Sequence, residues 1–580
     1  MKNGQYLSKL DTLTVVICVN LLSGACAVHA QTIPIPVIVG NNSQLESAAT
    51  STNASAVRLG FQYPGDAESL TYMWSSTSCS APDYASQVPS NTGGCWKAQL
   101  PAKGVDAREW GSLSTNVASA LAWAAAYSQK LVFPPGTYLL PANLSVSVPQ
   151  IGSITIEGMG SDVTILEFPS GSDGFSITVD GVYSTFHIRD LTIATKGTPS
   201  STPHTVGLNL IQGGNVSGPA PNVPGNTAQS DIVGVTFRGA DGYTLSDGWY
   251  AAVSANAVSN INFISDYFVS AGGGNPGVNY VGTGISLGGG SQIGVGYNVS
   301  GSTFLDLTYG INYGSNAQGL TVTGGTNLVG NTSGIYVPPG ATGTAELILA
   351  NSQCGYNEYC VNDDIGVFGE LISNNLIATN YSSSLAGVGV QTICAGCTIT
   401  DNVFSVFPIS PSGTRGVYIT GGTGGVISGN TFTGANDNGT TYPLTTAIEF
   451  APAISGMDVY GNHYGITTYN VSSASAPSNI ITGGGIGQAG NPAPAWAGLA
   501  SVSGAICTHG SPNIVELTVN SAAPFVTGQM VLVSGVGGLS YVSSGVVTPI
   551  TVLNSTQMTL NNVLCSGAYT SGGIVSDVPP

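Results

Sequence analysis

Charge is what this chain has least of. Its 580 residues include 11 Lys and Arg and 29 Asp and Glu, so charged side chains make up 7% and the net charge is −18. So few cations exclude the basic patch on which nucleic-acid binding depends. The acidic excess would repel a polyanionic glycan unless divalent cations bridged the two. Histidine is scarce as well, and His29, His187, His204, His463 and His509 are scattered without the spacing of a nucleophile–base pair or a metal site. Apolar runs are short: beyond one stretch from Leu13 to Leu22, none is long enough to span a bilayer. Helical patterning is nearly absent too. The Ala-rich segment 115–128 (TNVASALAWAAAYS) is the only clear helix, with Ser114 or Thr115 as its N-cap.

Lys2 and Lys9 precede the one apolar run, and small residues ending Val28-His29-Ala30 follow it. Residues 1–30 therefore read as a cleavable signal peptide, and the mature protein as secreted, extracellular or periplasmic. Removing Lys2, Lys9 and Asp11 with the leader leaves 9 basic and 28 acidic residues. Ser, Thr, Asn and Gly then supply most of the polar surface, which suits a neutral, hydroxyl-rich partner. Eight cysteines remain and fall into near-neighbour pairs: Cys79 with Cys95, Cys354 with Cys360, Cys394 with Cys397, and Cys507 with Cys565. In an exported protein these read as disulfides closing loops. The C-x-x-C at 394–397 has no second pair or nearby His, so no metal site is expected.

What the chain has in abundance is repetition. The segments ELISNNLI (370–377), CTITDNVF (397–404), GVISGNTF (425–432) and MDVYGNHY (457–464) each place an aliphatic residue three positions before an Asn and an apolar or aromatic one two positions after it. Asn375, Asn402, Asn430 and Asn462 are 27, 28 and 32 residues apart. Weaker copies occur at 261–268, 297–304, 320–327 and 347–354. A β-sandwich would repeat its strands about every 8–12 residues. A period this long predicts an all-β solenoid whose coils advance about 4.8 Å each, roughly ten coils and about 50 Å in all. The Asn is expected to occupy a left-handed turn position and to bond its counterparts from coil to coil. Glu346 and Glu370 fall on consecutive coils at the same place, five residues before the turn Asn, and are expected at a corner open to water.

Residues 105–126 (VDAREWGSLSTNVASALAWAAA), 131–140 (LVFPPGTYLL) and 154–168 (ITIEGMGSDVTILEF) resemble the entry segment of the pectate-lyase-like right-handed parallel β-helix superfamily. In that superfamily a strand and a capping helix precede a Pro-Pro-Gly-Thr-Tyr turn and the first coils. The family's acidic turn before the helix is replaced here by Ser112-Leu113-Ser114. TYMWSS and GGCWKAQL before this segment, and 510–575 after the rod, are similar to small modules attached to surface glycanases and phage tailspikes. The expected organisation is signal peptide 1–30, β-rich head 31–100, right-handed β-helix 101–472 with an N-terminal cap helix, Gly/Ser/Pro linker 473–497, and a small C-terminal β module 498–580.

The resemblance implies a polysaccharide partner and a site on the strand that follows the Asn turn and its variable loop. Those strands are GINY (310–313), GIYV (334–337), YCVN (359–362), GVGV (387–390), GVYI (416–419) and AIEF (447–450). Their outward residues are expected to be Asn312, Tyr336, Asn362, Gly389, Tyr418 and Glu449, with Asp363, Asp364 and Arg415 at strand ends. Polygalacturonases place NTD, DD, GHG and RIK on this face in order. Here the corresponding segments are NTSG (331–334), Asp363-Asp364, Gly387-Val388-Gly389 and Arg415-Gly416-Val417, so only the Asp pair and the Arg match. A glycan-cleaving enzyme, hydrolase or lyase, would use Asp363 and Asp364 as acid and base, with Arg415 and Glu449 beside them. Tyr336 and Tyr418 would stack on sugars, and Asn312 and Asn362 would bond them. No cofactor is expected, save calcium if the chemistry is that of a lyase. The alternatives are a non-catalytic adhesion or carbohydrate-binding rod, in which Asp363 and Asn331 are merely turn residues, or a tailspike-like depolymerase, which would be a trimer.

Overall fold

The computed structural model describes residues 13–19, 27–33 and 35–577, except 52–53, 200–204, 214–227, 244–245, 272–280, 291, 380–386, 408–412, 452–453, 474–480, 484–485, 488–499, 509–513, 523–524, 529, 540–541, 543–545 and 562. Its centre is a right-handed parallel β-helix in which every coil contributes three strands, each paired in parallel with the same strand of the next coil. The first ladder follows the variable loop (Tyr309–Tyr313, Ser333–Val337, Tyr359–Asp363, Val388–Cys394). The second precedes the Asn turn (Leu371–Ser373, Cys397–Thr400) and the third follows it (Leu376–Thr379, Val403–Val406). The third ladder has thirteen strands among the described residues, about 58 Å at ~4.8 Å per coil. Its last pairings reach Ile486–Gly487, beyond the expected boundary at 472. Most of the expected linker lies outside the described residues.

The turn is built differently from the sequence expectation. The left-handed position belongs to the residue before each repeat Asn: φ is 59° at Asn374, 56° at Asp401, 67° at Gly429 and 63° at Gly461. These corner positions admit Asn, Asp and Gly cheaply. The following Asn turns inward and is almost fully buried. Asn402 Oδ1 accepts the Asn375 backbone N–H at 3.0 Å, and its amide donates to Ile372 O at 2.9 Å and to Asn430 Oδ1 at 3.0 Å. Asn430 and Asn462 repeat the pattern. Each rung thus satisfies backbone groups that a solenoid corner would otherwise strand in its core. A shorter second ladder, Asn331 and Asn357, does the same at the end of the third strand.

Inside the rod, aromatic rings stack from coil to coil: Phe268 on Phe304 at 4.6 Å, Phe404 on Phe432 at 4.8 Å. The facing column of the first ladder is small for that reason. A Cβ on Gly389 or Gly416 would sit 2.8 or 2.7 Å from the Phe404 or Phe432 ring. One end of the core is covered by the helix Leu113–Tyr127, whose buried Val117, Ala120, Leu121 and Ala124 form one stripe. Its N-cap is Ser112, two residues earlier than expected, and it makes no side-chain cap bond.

The head is a five-stranded sheet with its own small core. Buried Arg58 of the head pairs with buried Glu109 of the rod entry and lies over the Tyr72 ring at 5.1 Å. At the C-terminus six strands close into an antiparallel barrel with a separate core.

All four expected disulfides are present. Cys79 is bonded to Cys95 in the head, where Cys95 begins the strand Cys95–Gln99 and is fully buried. In the rod, Cys354 of the third ladder is bonded to Cys360 of the first across a six-residue separation. Cys394 is bonded to Cys397 at the corner between the first and second ladders. In the barrel, Cys507 of the strand Ala500–Thr508 is bonded to Cys565, 58 residues later. Cys360 and Cys565 are buried as well, so these bridges belong to the cores and offer nothing to a ligand.

Leu13–Val19 of the expected leader pairs antiparallel with Ala27–Ile33, which runs past the expected cleavage after Ala30. No helix among the described residues is long and apolar enough to cross a membrane.

Candidate functional site

The first ladder aligns one outward residue per coil: Asn312, Tyr336, Asn362, Gln391, Tyr418 and Glu449 are successive register partners. Five of the six positions match the sequence expectation. The exception is Gly389, which is buried in the small column, so the outward place belongs to Gln391. The motif GVGV offers two glycines for alignment, and only the second falls in register with Gly310, Gly334 and Gly416. Counting two residues on from that glycine would have found Gln391.

The position three residues earlier is part-exposed on alternate coils, at Tyr309, Tyr359 and Arg415, and buried on the coils between, at Ser333, Val388 and Thr446. These strands do not alternate strictly: the pattern at Tyr309–Tyr313 is outward, two buried, outward, buried. Strict period-two counting therefore missed Tyr309 and Tyr359. The Tyr309 and Tyr336 rings stack at 4.4 Å. Gln391 donates to Asn362 Oδ1 at 2.8 Å, and Asn312 donates to Ser286 Oγ at 3.3 Å. Arg415 pairs with Glu449 at 2.5 Å and lies over the Tyr418 ring at 4.8 Å. Tyr309, Tyr336 and Tyr359 on three coils, Gln391 on the next, and Arg415, Tyr418 and Glu449 on the last two thus line one face. It spans five coil steps, about 24 Å.

The structure separates the expected acid–base pair. Asp363 is the last residue of the strand Tyr359–Asp363 and is buried, whereas Asp364 opens the bend that follows and is part-exposed. Asp363 turns inward, is fully buried, and accepts backbone N–H bonds from Ile365 (2.9 Å), Gly366 (3.0 Å) and Val367 (2.6 Å). It folds the chain after the strand and presents nothing to a substrate. Asp364 stays on the outer side, where burial raises its carboxyl and a Gln391 hydrogen bond opposes the rise. Burial also raises the phenols of Tyr309 and Tyr336, with Asp364 adding to the effect. Glu358, which the sequence did not single out, precedes Tyr359; burial raises its carboxyl as well.

Beneath this face lies a buried pair of carboxyl groups. Thr392 donates to Glu370 Oε2 at 2.8 Å, and its hydroxyl lies 3.4 Å from Asp363 Oδ2. Glu370 is 2% exposed, contrary to the expected wet corner, and its other oxygen has no partner. Burial foremost, with Asp363 second, pushes its carboxyl up to about 8. Glu346 is exposed at φ 63°. The two differ because Asn351 is itself a corner residue and Ser352 takes the inward place, shifting that coil by one.

Two groups follow from these placements. Tyr309, Tyr336, Asn362, Asp364 and Gln391 lie on four successive coils, with Glu358 and Tyr359 at the start of the Asn362 strand, and Arg415, Tyr418 and Glu449 occupy the next two coils. Asp364 and Glu449 are three coils apart, about 14 Å by strand spacing. Among the described residues no cluster of three or more metal-ligating side chains occurs.

No protein-family model matches the chain, and no curated protein matches it. Among solved structures, the tailspike gp42 of Acinetobacter phage vb_AbaP_AS12 is similar at 11% identity and TM-score 0.42, covering 93% of this chain and 93% of its own. Tailspike protein 4 of bacteriophage CBA120, an enzymatically active domain, is similar at 12% identity and TM-score 0.35, covering 93% and 76%. The A-module of the mannuronan C-5 epimerase AlgE4 of Azotobacter vinelandii is similar at 16% identity and TM-score 0.36, covering 68% of this chain and all of that one.

Proposed function

We propose that the protein is an exported, polysaccharide-active β-helix that holds an extended glycan lengthwise against the first ladder and hydrolyses it with Asp364 as general acid, its proton going to the departing glycosidic oxygen while water bonds to the anomeric carbon and gives its own proton to solvent. The observation that supports this is the row itself. Tyrosine rings, amide side chains and one Arg–Glu pair recur at coil spacing along a single outward face. Rings offer flat apolar faces to sugar C–H groups, while Asn and Gln bond hydroxyls. The row's one cation is neutralised by Glu449, and the molecule is strongly acidic. A neutral glycan therefore fits better than a polyanion, and hydrolysis better than a lyase reaction that starts from a uronate.

Asp364 is the carboxyl with the right character for proton donation. Its raised pKa keeps it protonated to higher pH than an ordinary aspartate, and it sits at the end of a stacked tyrosine pair. Glu449 is held by Arg415 and lies about 14 Å away, beyond the ~6.5–9.5 Å of an inverting carboxylate pair. It belongs to binding rather than to the bond-breaking step. The inward turn of Asp363 favours a second reading, a non-catalytic glycan-binding rod, because it leaves Asp364 without an adjacent base. Export rests on the leader-like residues 1–30. Calcium enters only if the reaction is that of a lyase.

The two readings separate on Asp364→Asn. With a general acid removed, turnover of a cleaved glycan should fall by about 10²–10⁴-fold while affinity stays within a factor of about two. The measurement is new reducing ends, and unsaturated products by their ultraviolet absorbance, across pH and with and without calcium. Wild-type protein that binds a glycan but never cleaves it would establish the binding rod.

A further inference from the structure

A second concave surface lies where the head meets the rod entry, away from the first ladder. It is a cleft of about 530 Å³ between the loop at 61–66 and the start of the cap helix. That volume is within the ~300–1,000 Å³ of small-molecule sites. Phe61, Tyr63, Tyr138 and Leu139 give it aromatic and apolar walls, and Arg108 supplies a guanidinium.

The walls are fixed before any ligand arrives. Asp66 gathers the backbone N–H groups of Phe61 (2.6 Å), Gln62 (2.8 Å) and Tyr63 (2.8 Å) around its carboxylate, which locks the loop. Phe61 rests on Gly111, where a Cβ would lie 2.6 Å from the ring and φ is 92°. Tyr138 donates its hydroxyl to Pro134 O at 3.0 Å. Arg108 is held by Asp106 through bonds of 2.7–3.1 Å. Tyr63 is 65% exposed and Leu139 57%, so an aromatic ring and an apolar side chain face water on this held backbone. The backbone part of the ordering cost is therefore already met, which favours even a weak ligand.

Charge narrows the ligand class. The cleft's two ionic groups are internally satisfied, Arg108 by Asp106 and Asp66 by three N–H groups. No uncompensated charge is left to attract an ion. Aromatic faces beside fixed donors and acceptors suit a compact molecule with apolar C–H faces and many hydroxyls. We propose that this cleft is a second saccharide site, separate from the row on the first ladder, that takes a neutral sugar unit of one or two rings.

The test is saturation-transfer NMR and calorimetry on the full chain with maltose, cellobiose, lactose, N,N′-diacetylchitobiose and, as a charged control, digalacturonate. At least one neutral disaccharide should bind, and Tyr63→Ala should weaken it about tenfold. Tyr63 is exposed, so this variant keeps the wild-type circular dichroism spectrum and melting temperature. Tyr336→Ala, in the first-ladder row, should leave that affinity unchanged. The proposal is overturned if no neutral disaccharide binds, if digalacturonate binds best, or if binding is indifferent to Tyr63→Ala. Loss in Tyr336→Ala alone would assign the sugar to the row and also overturn it. Binding that is indifferent to Tyr63→Ala leaves the glycan-binding row untouched, because the two variants report different sites.

Discussion

Asn402→Ala is expected to destabilise the rod by about 4–6 kcal/mol, the sum of several buried polar groups left without partners at ~1–3 kcal/mol each. Asn402 accepts both the backbone N–H and the amide of Asn375, and donates to Ile372 O and Asn430 Oδ1. All four groups lie in the core, where no water can replace the lost bonds. The preceding corner residue provides the contrast. Asp401 is exposed at φ 56°, and Asp401→Gly should change stability by less than about 1 kcal/mol, because glycine adopts this conformation freely. Denaturant unfolding of both variants measures the difference, and hydrogen exchange should show protection lost first at 371–404. Equal effects at the two positions would mean that the ladder does not hold the corner.

The second large effect concerns pH. Glu370 has a folded-state pKa of about 8 against an ordinary value of 4.5, so the native state binds its proton more tightly than the unfolded chain. Its contribution to stability is fully present below pH ~4.5, declines as pH rises, and is lost once pH passes the folded pKa. The decline amounts to as much as about 4 kcal/mol by pH 9. Asp266 acts in the same sense, since burial raises its carboxyl well above normal in a slot that Asn fills elsewhere. The protein should therefore unfold at higher temperature at pH 5 than at pH 9. Glu370→Gln should recover several kcal/mol at pH 9 and change little at pH 5, since the amide keeps an acceptor for Thr392 without ionising. Melting temperatures of the two proteins at both pH values measure this. A wild-type protein more stable at pH 9, or a variant with an unchanged pH slope, would contradict it.

The rod was legible because its signal is periodic. Buried Ile372, Ile399 and Ile427 and the apolar or aromatic residue two positions after each Asn recur wherever a coil turns, at a spacing too long for the hairpins of a sandwich. The cysteine pairs were legible for a related reason: Cys354 and Cys360, or Cys394 and Cys397, are so close in sequence that a single coil corner brings them together. The division of labour within the turn was not legible. Asn tolerates both the left-handed corner and the buried rung, so Asn374-Asn375 looks symmetrical until burial separates them. The same limit hid the site. Asp363-Asp364 reads as a carboxylate pair, but the strand ends at Asp363 and a β-helix interior can bury an aspartate that ties its own following turn. Tyr309 and Tyr359 escaped because their strands carry two consecutive buried residues. Arg415, Tyr418 and Glu449 were found because ionisable groups are rare enough that three in adjacent coils stand out.

The central claim is that a glycan lies along the first ladder. Its most direct measurement is the affinity of a neutral glycan panel for the wild-type protein and for the double variant Tyr309→Ala with Tyr336→Ala, which removes the stacked pair from the outer face without touching the core. The account predicts that at least one neutral glycan binds the wild type and that the double variant binds it about 30-fold more weakly. Unchanged affinity in the double variant for every glycan the wild type binds, or no binding by the wild type at all, would contradict it.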